Sequence, residues 1–189
     1  MQPKPVIGTP EERIAQLLTL NDQSDWTGPT GDYGSEFYSG DADTIGRACL
    51  AKEWDGLRDG RFAKRFVGFP QCVGNSDVCV YFFKAVANVT QTVVLNFDDF
   101  ERRVAETKQD QGLWAADLWR PRFVQAVATV PLPDVGQLAR EWAQTYFAEY
   151  GEEDDRWFAP DVTQAVGDFV MMCKDAAANG DDVVEVWVH

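Results

Sequence analysis

Histidine is almost missing from this sequence, because the terminal residue His189 is the single histidine among 189 residues. Nucleophilic sites of the Ser-His-Asp and Cys-His kinds need an imidazole that a third group holds inside a rigid cleft. A chain end supports such an imidazole poorly. Glycine-rich phosphate loops of the GxGxxG or GxxxxGK[ST] form are absent as well. These absences argue against catalytic triads and nucleotide sites, and they favour a protein that is not an enzyme.

Metal-ligand patterns are absent too. The cysteines form no CxxC pair, which structural zinc sites generally use, and we expect them to be scattered buried thiols. Asp41 and Asp43 have the spacing that opens an EF-hand, but Ile45 and Lys52 stand where that loop needs ligands. We therefore expect neither a metal ion nor another cofactor. The cysteines are Cys49, Cys72, Cys79 and Cys173.

Long apolar runs are also lacking. No segment approaches the roughly 18 consecutive apolar residues that a transmembrane helix requires. Residues 1–13 contain no apolar stretch of the length that a signal peptide needs. The sequence therefore predicts a cytoplasmic protein that makes no membrane contact.

Basic residues are scarce, with 17 Lys and Arg against 31 Asp and Glu, and the net charge is −14. The imbalance is concentrated late in the chain, where the stretch from Asp134 to the end has 13 acids and 3 bases. Such a field repels nucleic acid and anionic membranes and steers basic proteins toward itself. We expect a basic protein partner and no direct contact with nucleic acid.

What the chain does have is apolar and aromatic material, at 45% and 13% of its residues. A chain of this length can bury a self-sufficient core, and no repeat or low-complexity linker divides it. The sequence therefore predicts one domain spanning residues 1–189.

Runs of β-branched and aromatic residues predict about four mostly antiparallel strands. The first two are separated by Ala87-Asn88 and read as a hairpin. The last alternates valines with Glu185 and Trp187, and we expect it to pair inside the sheet, centrally placed. With amphipathic helices packed on the sheet, the fold class is α+β. The predicted strands are 78–86, 89–97, 122–130 and 183–188.

Capping residues and helical periodicity predict the helices. Thr9 and Pro10 open the first, Asp43 caps a second through about Gly56, and Asp98 caps a third. Asp134 begins a helix through about Tyr150, and Asp161 begins another whose apolar stripe is the cleanest in the chain. Residues 21–40 read as an irregular aromatic loop.

The candidate site is a run of four consecutive acids between aromatic residues. Aromatic anchors beside charge are the composition of a protein-binding hot spot, although like charges can also keep a loop in water. Adjacent carboxylates point in different directions, which disfavours a metal site. The predicted partner-binding residues are Tyr150, Glu152, Glu153, Asp154, Asp155, Trp157 and Phe158.

The preferred hypothesis is a non-catalytic acidic inhibitor that blocks a basic protein, as a toxin-neutralising immunity protein or an inhibitor of a nucleic-acid or defence enzyme would. One alternative is a small-ligand or carbohydrate-active enzyme or binder that uses carboxylates and tryptophan, with the 21–40 loop as its site. Another is a DNA mimic, whose carboxylates are spaced like phosphates. Two facing carboxylates in a deep pocket would favour the first alternative, and an extended acidic stripe would favour the second.

Overall fold

Five antiparallel strands form one sheet in the computed structural model, which describes residues 35–66, 78–92, 101–109, 112–150, 155–158 and 160–188. The order across the sheet is β2-β1-β5-β4-β3, and every neighbouring pair is antiparallel. The strands are β1 (Ser35–Gly40), β2 (Ala63–Phe66), β3 (Glu101–Gln109), β4 (Gly112–Trp119) and β5 (Asp182–Val188).

Helices cover both faces of this sheet, so the described residues form three layers. One face carries α1 (Ala42–Leu50) and α2 (Trp54–Arg58). The other carries four helices, three of them longer than α1, and two short 3-10 turns, at Leu132–Asp134 and Asp155–Phe158. These observations confirm the α+β class, with five strands among the described residues where about four were predicted. The four helices are α3 (Val78–Thr90), α4 (Pro121–Ala128), α5 (Val135–Tyr150) and α6 (Pro160–Asn179).

The layer between the sheet and the longer helices is packed with aromatic rings. Phe37 of β1 meets Phe169 of α6 at 4.8 Å and Trp119 of β4 at 5.1 Å between ring centroids. Phe83 of α3 lies 5.0 Å from Trp119. Edge-to-face aromatic pairs of this kind add to the stabilisation that burial already gives. The aromatic cluster therefore fixes α6 against the middle of the sheet.

The central position of the last strand confirms the prediction. β5 lies between β1 and β4, and its residues alternate between the two core layers. Val184 and Val186 face α1, whereas Val183 and Glu185 face the longer helices. Both faces of β5 are covered by helices, which explains its dense run of valines.

Two predicted strands are wrong, because 78–86 lies within helix α3 and 89–97 begins there, with 93–97 outside the described residues. A short apolar run does not distinguish a buried strand from a buried helix by composition. The helical period is visible on the more solvent-exposed side of α3, where Tyr81, Lys84 and Asn88 follow one another at spacings of three and four. Burial of Phe82, Phe83 and Val86 on the opposite side decides the structure.

The predicted strand 122–130 is also wrong, because Pro121 begins helix α4 there. Proline suits the first helical position, where its missing N–H costs nothing. Phe123, Val124 and Val127 are buried at helical spacing, and α4 packs against α6. Tertiary burial has overridden the β-propensity of the valines.

Two predicted helix starts are corrected as well. The helix expected after Asp98 is strand β3, because its residues pair along the whole of β4. Asp41, rather than Asp43, caps α1, since its carboxylate accepts the backbone N–H of Thr44 at 2.8 Å. α1 ends at Leu50, well before Gly56, and Lys52 has a left-handed φ of 58° that stops the helix.

The two helices of the C-terminal third are confirmed, as α5 and α6. Of the predicted irregular stretch 21–40, residues 35–40 form β1, and 21–34 lie outside the described residues, as do the helix at Thr9 and also Cys72 and His189. Within the described part of the chain, no helix combines the length and apolarity needed to cross a membrane.

Candidate functional site

Trp157, one of the predicted partner-binding aromatics, lies in the core with 3% of its surface exposed. Its indole stacks on Tyr146 at 4.7 Å and meets Trp142 edge-on at 5.2 Å. The 3-10 turn Asp155–Phe158 directs this ring under the C-terminal half of α5. Trp157 is therefore packed beneath α5 and exposes almost none of its own surface to solvent.

Phe158 is the exposed aromatic of the predicted site, with 47% of its surface in solvent. It contacts Phe147 at 6.0 Å between centroids, which sets its position at the end of α5. Tyr150 is the last residue of α5, and Asp155 begins the 3-10 turn. The remaining predicted acids, Glu152, Glu153 and Asp154, lie outside the described residues.

A stripe of carboxylates follows one side of α6. Asp161, Asp168 and Asp175 recur every seven residues along this helix. Seven residues fall only about 20° short of two full turns, so the three acids form a nearly straight line with steps of about 10 Å. Asp161 and Asp168 are exposed. We call these three residues the α6 stripe; their regular spacing is the sequence signal that indicates it.

Basic groups near the α6 stripe are held in specific contacts. Lys174 donates its ammonium to the backbone oxygen of Ala128, at the C-terminal end of α4, where a helix dipole favours a cation. Lys64 pairs with Asp175 at the end of the stripe. This pair is solvent-exposed and contributes little. Asp161 and Asp168 thus remain the strongly acidic part of the helix.

A second acidic feature crosses neighbouring strands on the face of the sheet that packs against α3 to α6. Arg103, Asp117 and Glu185 are direct neighbours on β3, β4 and β5, and Phe37 of β1 continues the line. The register of β3 shifts between Arg103 and Ala105, so that these residues face opposite layers although they are two positions apart. The shift places the guanidinium of Arg103 beside Asp117. We call Glu101, Arg103, Asp117 and Glu185 the carboxylate row.

Hydrogen bonds hold the carboxylate row in place. Arg103 donates its Nε–H to Oδ1 of Asp117 at 2.6 Å, and the Trp119 indole donates its Nε1–H to Oε2 of Glu185 at 3.1 Å. Asp117 and Glu185 are 1% and 4% exposed. Burial, together with the nearby negative charges of Asp117 and Glu185, raises the pKa of Glu101 to about 7. One member of the row can therefore exchange a proton near neutral pH.

The chemistry open to the carboxylate row is proton transfer or recognition of a polar ligand. In the described part of the chain, no three His, Cys, Asp or Glu side chains are arranged to hold a metal ion. The abundance of acids made paired carboxylates uninformative in the sequence. The informative feature of the sequence is where these acids stand, because Asp117 and Glu185 each interrupt an otherwise apolar strand.

The opposite face of the sheet carries a smaller polar group. Glu36 accepts hydrogen bonds from the Tyr38 hydroxyl and from Arg65, the latter at 2.7 Å. Burial and the contact with Glu36 raise the pKa of Tyr38 well above its ordinary value. The hydroxyl of Tyr38 and the guanidinium of Arg65 both donate to the buried carboxylate of Glu36, which is a structural arrangement.

Two of the four cysteines belong to the core. Cys49 lies in α1 on one face of the sheet, and Cys173 lies in α6 on the other. Burial raises the pKa of the Cys49 thiol to about 12 and raises that of Cys173 as well. Thiols in such surroundings are inert, because the reactive species is the thiolate.

Comparison with protein-family models, with curated proteins and with solved structures finds no match for this chain.

Proposed function

We propose that this protein binds and blocks a basic protein through the surface of its C-terminal third, as an immunity protein does with a toxin or an inhibitor does with a nucleic-acid enzyme. The observation that carries the proposal is the exposure of Asp161 and Asp168 in line on α6, in a region of the chain with 13 acids and 3 bases. Negative potential concentrated in this way accelerates encounter with a positively charged protein.

Rigidity supports this role. α6 runs for 20 residues, and Val166, Phe169 and Val170 on its inner side are fully buried. Charges mounted on a packed helix are held in place before the partner arrives, so binding loses little side-chain and backbone entropy there. The α6 stripe is therefore suited to specific recognition as well as to long-range attraction.

Phe158 supplies an apolar anchor beside the predicted acidic run, Glu152 to Asp155. Its ring is half exposed although it stands next to the deeply buried Trp157. Exposed aromatic rings with a fixed position are enriched among residues that dominate binding energy. In the proposed complex, the acids set the rate of association, and Phe158 slows dissociation.

Capture from the native host with immobilised protein tests this proposal. The test variant is Asp161→Ser/Asp168→Ser, and the control is Asp43→Ser/Asp55→Ser, which makes the same charge change on α1 and α2 across the sheet. We expect a basic protein that the wild type and the control retain, that the test variant loses, and that high salt releases. Equal retention by both variants would contradict the proposal. Competition by duplex DNA for the captured protein would identify DNA mimicry as the mode of blocking.

A second candidate function, proton-linked binding or conversion of a small polar ligand, is favoured by the carboxylate row. Two facing buried carboxylates beside a glutamate with a pKa of about 7 form the kind of arrangement that acid-base sites use. Screening neutral sugars and small cations by thermal shift, with the wild type and Glu101→Gln side by side, tests it. A ligand that stabilises the wild type but not the variant would support this function.

A further inference from the structure

A groove of about 420 Å³ lies beside the α6 stripe, between the start of α5 and the middle of α6. Two exposed apolar side chains stand in its lining, Leu132 with 50% and Met171 with 40% of their surface in solvent. Val135 lies at its base and is buried. The volume is large enough to admit a large aromatic or aliphatic side chain. Other lining residues are Gly136, Pro160, Gln164, Gly167 and Asp168.

Two glycines keep this groove open, and neither is required by the packing of the helices. A Cβ added to Gly167 would lie 3.5 Å from Cγ1 of Val135, an ordinary contact, and one added to Gly136 would lie 3.8 Å from Nη1 of Arg140. Both glycines are helical, where glycine costs about 1 kcal/mol relative to alanine. Close approach of α5 and α6 therefore does not explain them. What a side chain would remove at these positions is the open space of the groove.

Carboxylates outnumber cations around the groove, where the guanidinium of Arg140 beside Gly136 is the opposing charge. Asp168 is part of its lining, and Gln164 holds this carboxylate through a hydrogen bond of 2.8 Å to Oδ1. Asp134 lies in the chain between the lining residues Leu132 and Val135. Asp161 stands two turns before Asp168 on the same helix. An apolar pocket with an acidic rim is complementary to an apolar side chain flanked by Lys or Arg.

We infer that this groove is the docking site for a segment of the basic partner in which one large apolar side chain is flanked by lysines or arginines. The inference rests on the proposed function and deepens it, because it assigns the partner's apolar anchor to the space between Gly136 and Gly167. The acidic rim disfavours a second copy of this acidic chain as the occupant, since its like charges would repel. The apolar side chain enters the groove, and the flanking cations meet Asp161 and Asp168.

The test uses a labelled lysine-rich peptide with one central tryptophan, and a matched peptide in which serine replaces the tryptophan. We expect the wild type to bind the tryptophan peptide at least about tenfold more tightly than the serine peptide. Fluorescence anisotropy at low salt measures both affinities. Equal affinity for the two peptides, or binding of neither, would overturn the inference.

Groove variants locate the site. Gly167→Leu fills the groove and should remove the preference for the tryptophan peptide, and Gly167→Ala should reduce it. Met171→Gln keeps the size of an exposed side chain, so folding is retained, and it too should weaken the preference. Leu50→Ser, at an exposed leucine of α1, is the control and should bind as the wild type does. Unchanged preference in both Gly167→Leu and Met171→Gln would overturn the assignment.

The failure of this inference is distinguishable from the failure of the proposed function. Should both peptides bind equally and lose affinity together in Asp161→Ser/Asp168→Ser, the acidic surface attracts basic partners and the groove is not its anchor site. Sedimentation over a range of concentrations examines the remaining occupant. A dimer of the wild type that Gly167→Leu abolishes would identify a second copy in the groove and overturn the basic segment.

Discussion

Asp117 and Glu185 lie directly opposite each other on β4 and β5, and both side chains are almost completely buried. Like charges facing each other across a sheet are destabilising, and burial strengthens their repulsion. The structure compensates on both sides, with the guanidinium of Arg103 on Asp117 and the indole N–H of Trp119 on Glu185. The stability of the sheet centre therefore depends on these two contacts.

Removing the side chain of Arg103 should destabilise the protein more than is usual for a residue on an edge strand. Arg103→Ala removes the guanidinium that donates to the buried carboxylate of Asp117, and we expect the free energy of unfolding to fall by about 2 kcal/mol. The neighbouring Arg102 is exposed, and Arg102→Ala should change it by less than about 0.5 kcal/mol. Urea denaturation of both variants measures the difference. Equal losses would show that the contact with Asp117 carries no special weight.

Stability should fall as the pH rises, because of the raised pKa of Glu101. Its pKa in the folded protein is about 7, above the ordinary value of 4.5, so between these values the folded state holds a proton that the unfolded state has released. This contribution is complete below about pH 4.5 and is lost as the pH rises through about 7. Glu101→Gln should flatten the dependence and make the variant more stable than the wild type at alkaline pH. Parallel stability curves for the two proteins would contradict the raised pKa.

Alanine substitutions at the neighbouring aromatics should affect different properties, with Trp157→Ala lowering stability and Phe158→Ala weakening binding. Trp157→Ala removes a ring packed on Tyr146 and Trp142, and we expect a loss of about 3 kcal/mol or more in the free energy of unfolding. Phe158→Ala should cost less than about 1 kcal/mol, because the ring is half exposed. In the proposed complex, Phe158→Ala speeds dissociation of the basic partner. An unchanged dissociation rate would remove Phe158 from the interface.

Replacement of a helical glycine by alanine should change stability in opposite directions at Gly167 and Gly56. Gly167→Ala adds a methyl at ordinary contact distance and should stabilise the protein by about 0.5 to 1 kcal/mol. Gly56→Ala in α2 would place its Cβ 2.3 Å from Cε2 of Phe62 and should destabilise by about 1 kcal/mol or more. Thermal unfolding of the two variants tests this. Destabilisation by Gly167→Ala would mean that helix packing, and not the groove, requires that glycine.

The elements that could be predicted from sequence are those whose pattern is long or unambiguous. α6 has an apolar stripe over about four turns, and in β5 valines alternate with Glu185 and Trp187 from Val184 onward, so the sequence predicts both elements. The valines and phenylalanines of α3 and α4 favour β-structure, so composition predicts strands there, and only burial against the sheet decides for helix. Pro121 was the available signal for α4.

The candidate sites divide in the same way. The acidic run Glu152 to Asp155 is visible as local composition, and its aromatic neighbours were noted, but burial of Trp157 follows from contacts with α5 that no local pattern encodes. The carboxylate row depends on the register of β3, β4 and β5, which are distant in sequence. A shift of one residue in β4 would have turned Asp117 to the other layer.

Association kinetics with the basic protein captured from the native host test the acidic surface most directly. For the wild type, the stopped-flow association rate constant should be at least about tenfold lower at about 200 mM salt than at about 20 mM salt, because screening weakens long-range attraction. Asp161→Ser/Asp168→Ser should associate more slowly at low salt and depend less on salt, whereas Asp43→Ser/Asp55→Ser should match the wild type. Indistinguishable rates and salt dependence in all three proteins would contradict a steering role for the C-terminal third.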